Sequence, residues 1–248
     1  MSKSNQTGKK PLDPVLKAAM ERVYKAEGIP GFETPESSDK KNEGYCPVKL
    51  WHGTSAHLLP MIKKYGLGGQ NVLVNWNVME FLSWTFENLD EWDPNDFTNP
   101  DHYSLNLTRA AIDEARDPNL PNFEYGHLYV TGQYHKAESY AQTAPELLDL
   151  VRLILDIARR QNKTIIEQKL EQFSEIKSFL RLPPQPIVIE LPSVLITNLK
   201  GENGEEIDDF MSKEMQQDKL YWELMSYRIN AVIPFEEIIE IYPIKQTT

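Results

Sequence analysis

The chain has 248 residues, 40% of them hydrophobic and 25% charged, and a formal net charge of −11; that length supports one large core with an extension, and the acidic balance excludes a protein-wide electrostatic grip on a nucleic-acid backbone. No apolar run approaches the roughly 18 to 20 residues of a membrane helix, and the N-terminus MSKSNQTGKKPLDP lacks the apolar centre of a signal peptide, so a cytoplasmic protein with no membrane partner is expected. The one cysteine, Cys46, excludes an intrachain disulfide and a thiolate metal cluster.

In chain order, the first ten residues are polar. Asp13 as N-cap, Pro14 at the first helical position and Gly28 past the end then bracket a helix with Leu16, Met20 and Val23 on one face. The turn-rich stretch from Pro30 to Gly44 reads as a linker, so residues 1–44 form an N-terminal helix and flexible segment, and 45–248 the main domain. A β-prone run, Val48-Lys49-Leu50-Trp51, then ends on His52-Gly53-Thr54, an element boundary of the kind where binding groups gather. His57 to Tyr65 has helical spacing and Gly66 is its stop. Gly66-Leu67-Gly68-Gly69 follows a helix instead of opening one after a strand, so it is not a dinucleotide-fold phosphate loop. From Asn71 to Pro121 the pattern is irregular and assigns no elements.

Leu128 to Thr131 reads as a strand and Gln133 to Gln142 as a helix. A helical region from Pro145 to about Arg181 follows, as two helices broken near Gln161-Asn162-Lys163. It carries many of the chain's basic residues, among them Arg152, Arg159, Arg160, Lys163, Lys169, Lys177 and Arg181; without an aromatic stacking platform interleaved with them these read as a solvated face and not as a nucleic-acid patch. Beyond the prolines at 183, 184 and 186, strands are expected over Ile187 to Leu191, Val194 to Leu199, Leu220 to Ile229 and Ile238 to Ile244. Clustered strands flanked by helices give the α+β class. His57, His102, His127 and His135 show no metal-ligand spacing with carboxylates, and no metal is expected.

Three islands carry a resemblance. VKLWHGTSAHLLPMIKKYGL, from Val48 to Leu67, resembles the first motif of the ADP-ribosyltransferase superfamily, in the branch of diphtheria toxin and the poly(ADP-ribose) polymerases. GHLYVTGQYHKAESYA, from Gly126 to Ala141, is similar to that family's tyrosine-bearing strand and the helix with a second tyrosine; Tyr129 and Tyr140 are eleven residues apart. LYWELMSYRI offers the late-strand glutamate, Glu223, with Glu214 as its rival. The islands cover about a fifth of the chain.

The resemblance implies a split β-sheet core of the ADP-ribosyltransferase type with flanking helices and a helical insertion at about 145–181. It implies NAD as co-substrate, and transfer of ADP-ribose to a protein or nucleic-acid acceptor with release of nicotinamide. His52 would hydrogen-bond a ribose hydroxyl, Gly53 would offer its backbone to the carboxamide, Thr54 would add a hydroxyl, and Tyr129 and Tyr140 would sandwich the nicotinamide ring. Glu223 would hold the ribose 2′-hydroxyl and favour positive charge at the anomeric carbon in an oxocarbenium-like transition state. The chain departs from the polymerase pattern at Ala137, where those enzymes carry a serine, and at Tyr221, where arginine-modifying relatives carry Gln or Glu. Nothing resembles a chain-elongation loop, so a mono-ADP-ribosyltransferase, as in a toxin or effector, is expected. The alternatives are an RNA 2′-phosphotransferase, an NAD glycohydrolase, and an inactive module that binds NAD-like ligands or a protein. The helical insertion is expected as a docking surface for a protein inhibitor or partner.

Overall fold

A computed structural model describes residues 44–90, 100–116, 127–143 and 148–245. The expected helix between Asp13 and Gly28 and the linker up to residue 43 lie outside the described residues. Six strands, β1 (Trp51–Ser55), β2 (Leu128–Thr131), β3 (Pro186–Glu190), β4 (Leu199–Gly201), β5 (Ser226–Ile229) and β6 (Glu240–Pro243), form one antiparallel sheet in the order β4-β5-β2-β1-β3-β6. The helices are α1 (Leu59–Tyr65), α2 (Val72–Asn75), α3 (Val78–Glu87), α4 (Pro100–Arg116), α5 (Tyr134–Thr143), α6 (Leu148–Arg160), α7 (Thr164–Leu170), α8 (Ser174–Leu180), α9 (Ile207–Phe210), α10 (Lys213–Gln217) and α11 (Lys219–Leu224). The α+β class holds. Among the described residues no helix is long and apolar enough to cross a membrane.

Several expected boundaries are corrected. The first strand starts at Trp51 and runs through Ser55, because those five residues all pair with β3, whereas Tyr45 and Cys46 are tied to Leu195 and Val194. His52 and Gly53 therefore sit inside the strand and not at its end. The run from Leu220 is helical up to Leu224: the Asp218 carboxylate caps Leu220 N–H, and buried Leu220 and Trp222 anchor the turn, so only Ser226–Ile229 is strand. Ile196–Asn198 is a 3-10 turn, and the fourth strand begins after it, at Leu199, where pairing with β5 becomes available. The region 148–180 holds three helices: Phe173, buried against Phe81 at a ring distance of 5.1 Å, interrupts it a second time. The irregular stretch after Asn71 contains α2, α3 and α4, with Asn77 in the left-handed region (φ 53°) turning α2 into α3.

The sheet is buried on two unequal faces. Strand alternation sends Leu128, Val130, Ile187, Ile189, Leu199, Tyr227 and Ile229 to one side, where they share the main core with α1 to α3 and with α6 to α8. The helices of 148–180 are thus part of that core, through Val151, Ile154, Ile166 and Ile176, all fully buried. The opposite face is covered by α5, which packs over β1 and β3 on a small cluster of Trp51, Ala137 and Val188 with Tyr134 and Tyr242. Trp51, Tyr134 and Tyr242 meet edge to face at 5.3 to 5.8 Å, a preferred aromatic geometry.

Gly53 lets α5 close on the sheet. A Cβ there would stand 1.8 Å from the Ala137 carbonyl oxygen and 2.8 Å from the Ala141 nitrogen, both backbone atoms of the helix. Gly53→Ala is expected to lift α5 and cost about 1 to 3 kcal/mol, the usual range for overpacking. Urea unfolding followed by tryptophan fluorescence checks this, and an unchanged midpoint with unchanged emission counts against it.

Candidate functional site

The two halves of the sheet, β4-β5-β2 and β1-β3-β6, are joined by a narrow seam. β1 and β2 pair at one register position, Trp51 with Thr131, whereas β1 and β3 pair at five. Continued pairing would set Gly53 against Tyr129, and the ladder stops before that point. In its place the His52 imidazole crosses the seam, its Nδ1–H donating to the Tyr129 carbonyl oxygen at 2.8 Å. Desolvation holds this ring below its ordinary value of 6.5, the hydrogen bond to Tyr129 opposing part of that effect. A neutral ring that donates from Nδ1 keeps Nε2 as an acceptor for a hydroxyl.

The polar atoms of Gly53 turn toward the same seam. Leu50 and Ala56 exchange main-chain hydrogen bonds with the β3 side, through Leu191 N–H to Leu50 C=O and Ala56 N–H to Gln185 C=O. Alternation along an antiparallel strand then directs the N–H and C=O of residues 51, 53 and 55 toward β2. Gly53 thus presents one donor and one acceptor to the gap where the ladder ends.

The expected ligand groups divide between the two faces. His52 and buried Thr54 lie on the main-core face, where with Ile62, Gly68, Asn71 and Leu128 they line a cavity of about 40 Å³. Tyr129 lies on the α5 face, since it pairs with Arg228 and stands two residues from Thr131 opposite Trp51. Its hydroxyl donates to the Glu202 carbonyl at 3.4 Å. Tyr140, on α5, is 40% exposed, and the Lys136 ammonium sits 5.9 Å from its ring centre. Lys136 is also 3.9 Å from a Glu202 carboxylate oxygen, so Tyr129, Tyr140, Lys136 and Glu202 border one stretch of this face.

Glu223 is on α11 and not on a strand, and the expected face shared with Tyr221, Met225 and Tyr227 does not form. Its backbone packs on Gly132, where a Cβ would come within 2.5 Å of the Glu223 Cα, so the residue is held at the turn from β2 into α5. The side chain is 18% exposed and pairs with Lys219 at 3.8 Å. Desolvation raises its carboxyl above the ordinary 4.5, with Lys219 pulling it down and Asp218 pushing it up. The rival Glu214 is an exposed residue in the first turn of α10, held low by backbone and Ser212 hydrogen bonds. Of the two carboxylates, Glu223 alone is brought to the sheet.

Three basic residues on the Tyr129 face, Lys136, Lys200 and Arg228, were not among the expected site residues. Arg228 is paired with Tyr129 on one side and Lys200 on the other. Their signal is the alternation of Ser226 and Arg228 with apolar Tyr227 and Ile229, legible only once the strand is known to begin at Ser226. Cys46 is buried, and burial pushes its thiol up to about 12, which leaves it unreactive. Among the described residues no group of three or more His, Cys, Asp or Glu could hold a metal ion. No protein-family model, curated protein or solved structure matches this chain.

The His52 bond gives a signed pH dependence. Its folded value lies below the unfolded one, so its contribution is intact above about pH 6.5 and is lost as the pH falls through the depressed folded value. His52→Leu is expected to cost about 1 to 3 kcal/mol at pH 7 by leaving the Tyr129 carbonyl without this donor. The gap between parent and variant should narrow at pH 5 in urea titrations, and a constant gap would show that His52 does not titrate as described.

Proposed function

We propose that the protein is an NAD-dependent mono-ADP-ribosyltransferase of the His-Tyr-Glu type with an ADP-ribosyltransferase-like core, His52, Tyr129 and Glu223 being the residues that carry the reaction. The observation that supports this best is the seam. Three islands widely separated in sequence include β1, β2 and β5, which are neighbours in the sheet, with Glu223 on α11 just before β5. At the point where β1 and β2 part, His52 and Thr54 face one side and Tyr129 the other, with the polar atoms of Gly53 between them.

A ligand that touches both His52 and Tyr129 must be long enough to span the seam, and its two ends must differ in chemistry. A dinucleotide meets both requirements. A ribose hydroxyl would donate to His52 Nε2, and the carboxamide would meet the N–H and C=O of Gly53. The nicotinamide ring would lie against Tyr129 with Tyr140 on its other side, stacking worth about 0.5 to 1.5 kcal/mol per aromatic pair. In the reaction the bond between the nicotinamide nitrogen and the ribose anomeric carbon breaks, a bond from that carbon to the acceptor forms, and the acceptor gives up a proton. Glu223 would favour the positive charge that develops, and its partial desolvation would strengthen that interaction. The acceptor is a macromolecule, protein or nucleic acid.

Incubation of the full chain with labelled NAD and a crude mixture of protein and nucleic acid tests the reading. Label is expected in a macromolecular fraction with release of free nicotinamide; nicotinamide release without macromolecular label identifies a glycohydrolase. Neither product, from folded protein and a broad acceptor pool, sinks the transferase reading. Glu223→Gln should cut turnover roughly 100-fold or more while leaving NAD affinity nearly unchanged. Because the ionised form acts and its pKa is raised, the acid limb of turnover should fall above pH 4.5. Lys219→Met should move that limb further up, since the ammonium is what lowers it; a limb indifferent to Lys219 places the titrating group elsewhere.

A further inference from the structure

The α5 face of the sheet has two unlike halves. Over β1 and β3 it is sealed by α5 on Trp51, Ala137 and Val188. Over β2, β5 and β4 it is polar, with Tyr129, Arg228 and Lys200 opposite one another in register across three strands. Lys136 of α5 reaches the border of this floor. Next along β5 from Arg228 on the same face is Ser226, 3% exposed, whose hydroxyl has no hydrogen-bond partner among the described residues. Three cations thus converge on one half-face of a chain whose formal net charge is −11.

The turn after β4 supplies their counter-charge. Glu206 pairs with Lys200, and the Glu202 carboxylate lies 3.9 Å from Lys136. Gly204, at φ +85°, folds the turn down onto Arg228: a Cβ there would meet the guanidinium at 3.2 to 3.3 Å. The turn thus carries the carboxylates of Glu202, Glu205 and Glu206, of which Glu206 and Glu202 lie against two of the cations, while its backbone meets the third cation and the Tyr129 hydroxyl. Both pairs are partly open to solvent, and surface ion pairs contribute little to stability, about 0 to 1 kcal/mol, so an incoming anion can replace them at small cost.

We propose that this floor of Lys136, Lys200 and Arg228 is a binding site for a phosphate group, held in the free protein by the carboxylates of Glu202 and Glu206, and that the phosphate belongs to the acceptor. The second part rests on the transferase reading. On that reading the donor dinucleotide reaches Tyr129 from the His52 side of the seam, and the basic floor lies on the other side of Tyr129, toward β5 and β4. A guanidinium in fixed register with an ammonium suits the tetrahedral, multiply charged phosphate better than a single carboxylate. The acceptor is then a phosphate-bearing macromolecule, recognised locally in spite of the chain's acidic bulk.

Inorganic pyrophosphate, titrated calorimetrically into the full chain at low salt, tests the site without NAD. Lys200→Met and Lys136→Met should each weaken its binding, and Arg228→Met should abolish it. Glu206→Gln should strengthen it by ~2- to 5-fold, the value of one exposed ion pair. Glu167→Gln, the same charge change on α7, paired there with Arg159, should leave it unchanged. The Glu206 and Glu167 comparison stands even if Arg228→Met fails to fold. Absence of binding, or equal strengthening by both glutamine variants, overturns the site. A repeat with saturating NAD separates the two parts: undiminished pyrophosphate binding supports the acceptor assignment, and competition assigns the phosphate to the dinucleotide and overturns it. A chain that binds pyrophosphate in this variant pattern but does not bind NAD retains the anion site and loses the transferase reading.

Discussion

One hydrogen bond stands where a strand ladder would otherwise continue. β1 and β2 are both central strands, yet after Trp51 and Thr131 they part, and the junction is carried by the His52 ring donating to the Tyr129 carbonyl. A side chain reaches farther than a backbone N–H, so this substitution holds the two halves of the sheet together while keeping them apart. Everything proposed for the site depends on that separation. Were the ladder complete, the N–H and C=O of Gly53 would be spent on Tyr129, and the two faces of the sheet would be isolated from each other. The cost of an opened sheet is met by β3, which pairs with all of β1 and whose residues are fully or almost fully buried.

The two faces then take different tasks. The main-core face gathers nearly all the large apolar side chains, including those of α6 to α8, so it supplies the stability and leaves the opposite face free to be thin and partly polar. That division explains why the helices between residues 148 and 180 are not a loose addition: Phe173 against Phe81, and Phe179 beside Trp76 and His57, lock them to the elements around α1 to α3. It also explains why Tyr129 can be half-buried without being a core residue. The apolar payload of β2 is carried by Leu128 and Val130, on the other side of the strand.

Elements with strong local patterns were legible from the sequence. The strand at Leu128 to Thr131, the helix after it, the β-branched strand before Leu191 and the helix stop at Gly66 all follow from periodicity and turn chemistry, and the α+β class follows from their clustering. The failures have a common origin in tertiary pairing. LYWELMSYRI has the aromatic and branched composition of a strand, but its first half has no partner strand, while Asp218 offers a cap and Trp222 a core position, so it coils. The start of β1 was set by which residues β3 could reach. The seam, and the meeting of Arg228 and Lys200 with Tyr129, depend on pairings between segments about 30 to 100 residues apart, which no local pattern encodes. The candidate tyrosines and His52 were found by resemblance, and their placement on opposite faces was not foreseeable from it.

The departure at Ala137 has a physical reason in the packing. Its carbonyl occupies the place where a side chain at position 53 would begin, and its methyl is fully buried beside Trp51 and Val188. A serine here would bury a hydroxyl among aromatic and aliphatic groups, a cost avoided only if a partner were supplied. Alanine removes that demand and lets α5 descend until it touches the strand. On the proposed transferase reading, recognition of a carboxamide would then fall to the main chain of Gly53, whose donor and acceptor turn sideways into the seam and not upward to the helix. The glycine that permits the close helix contact is thus the same residue that turns its backbone donor and acceptor toward the seam.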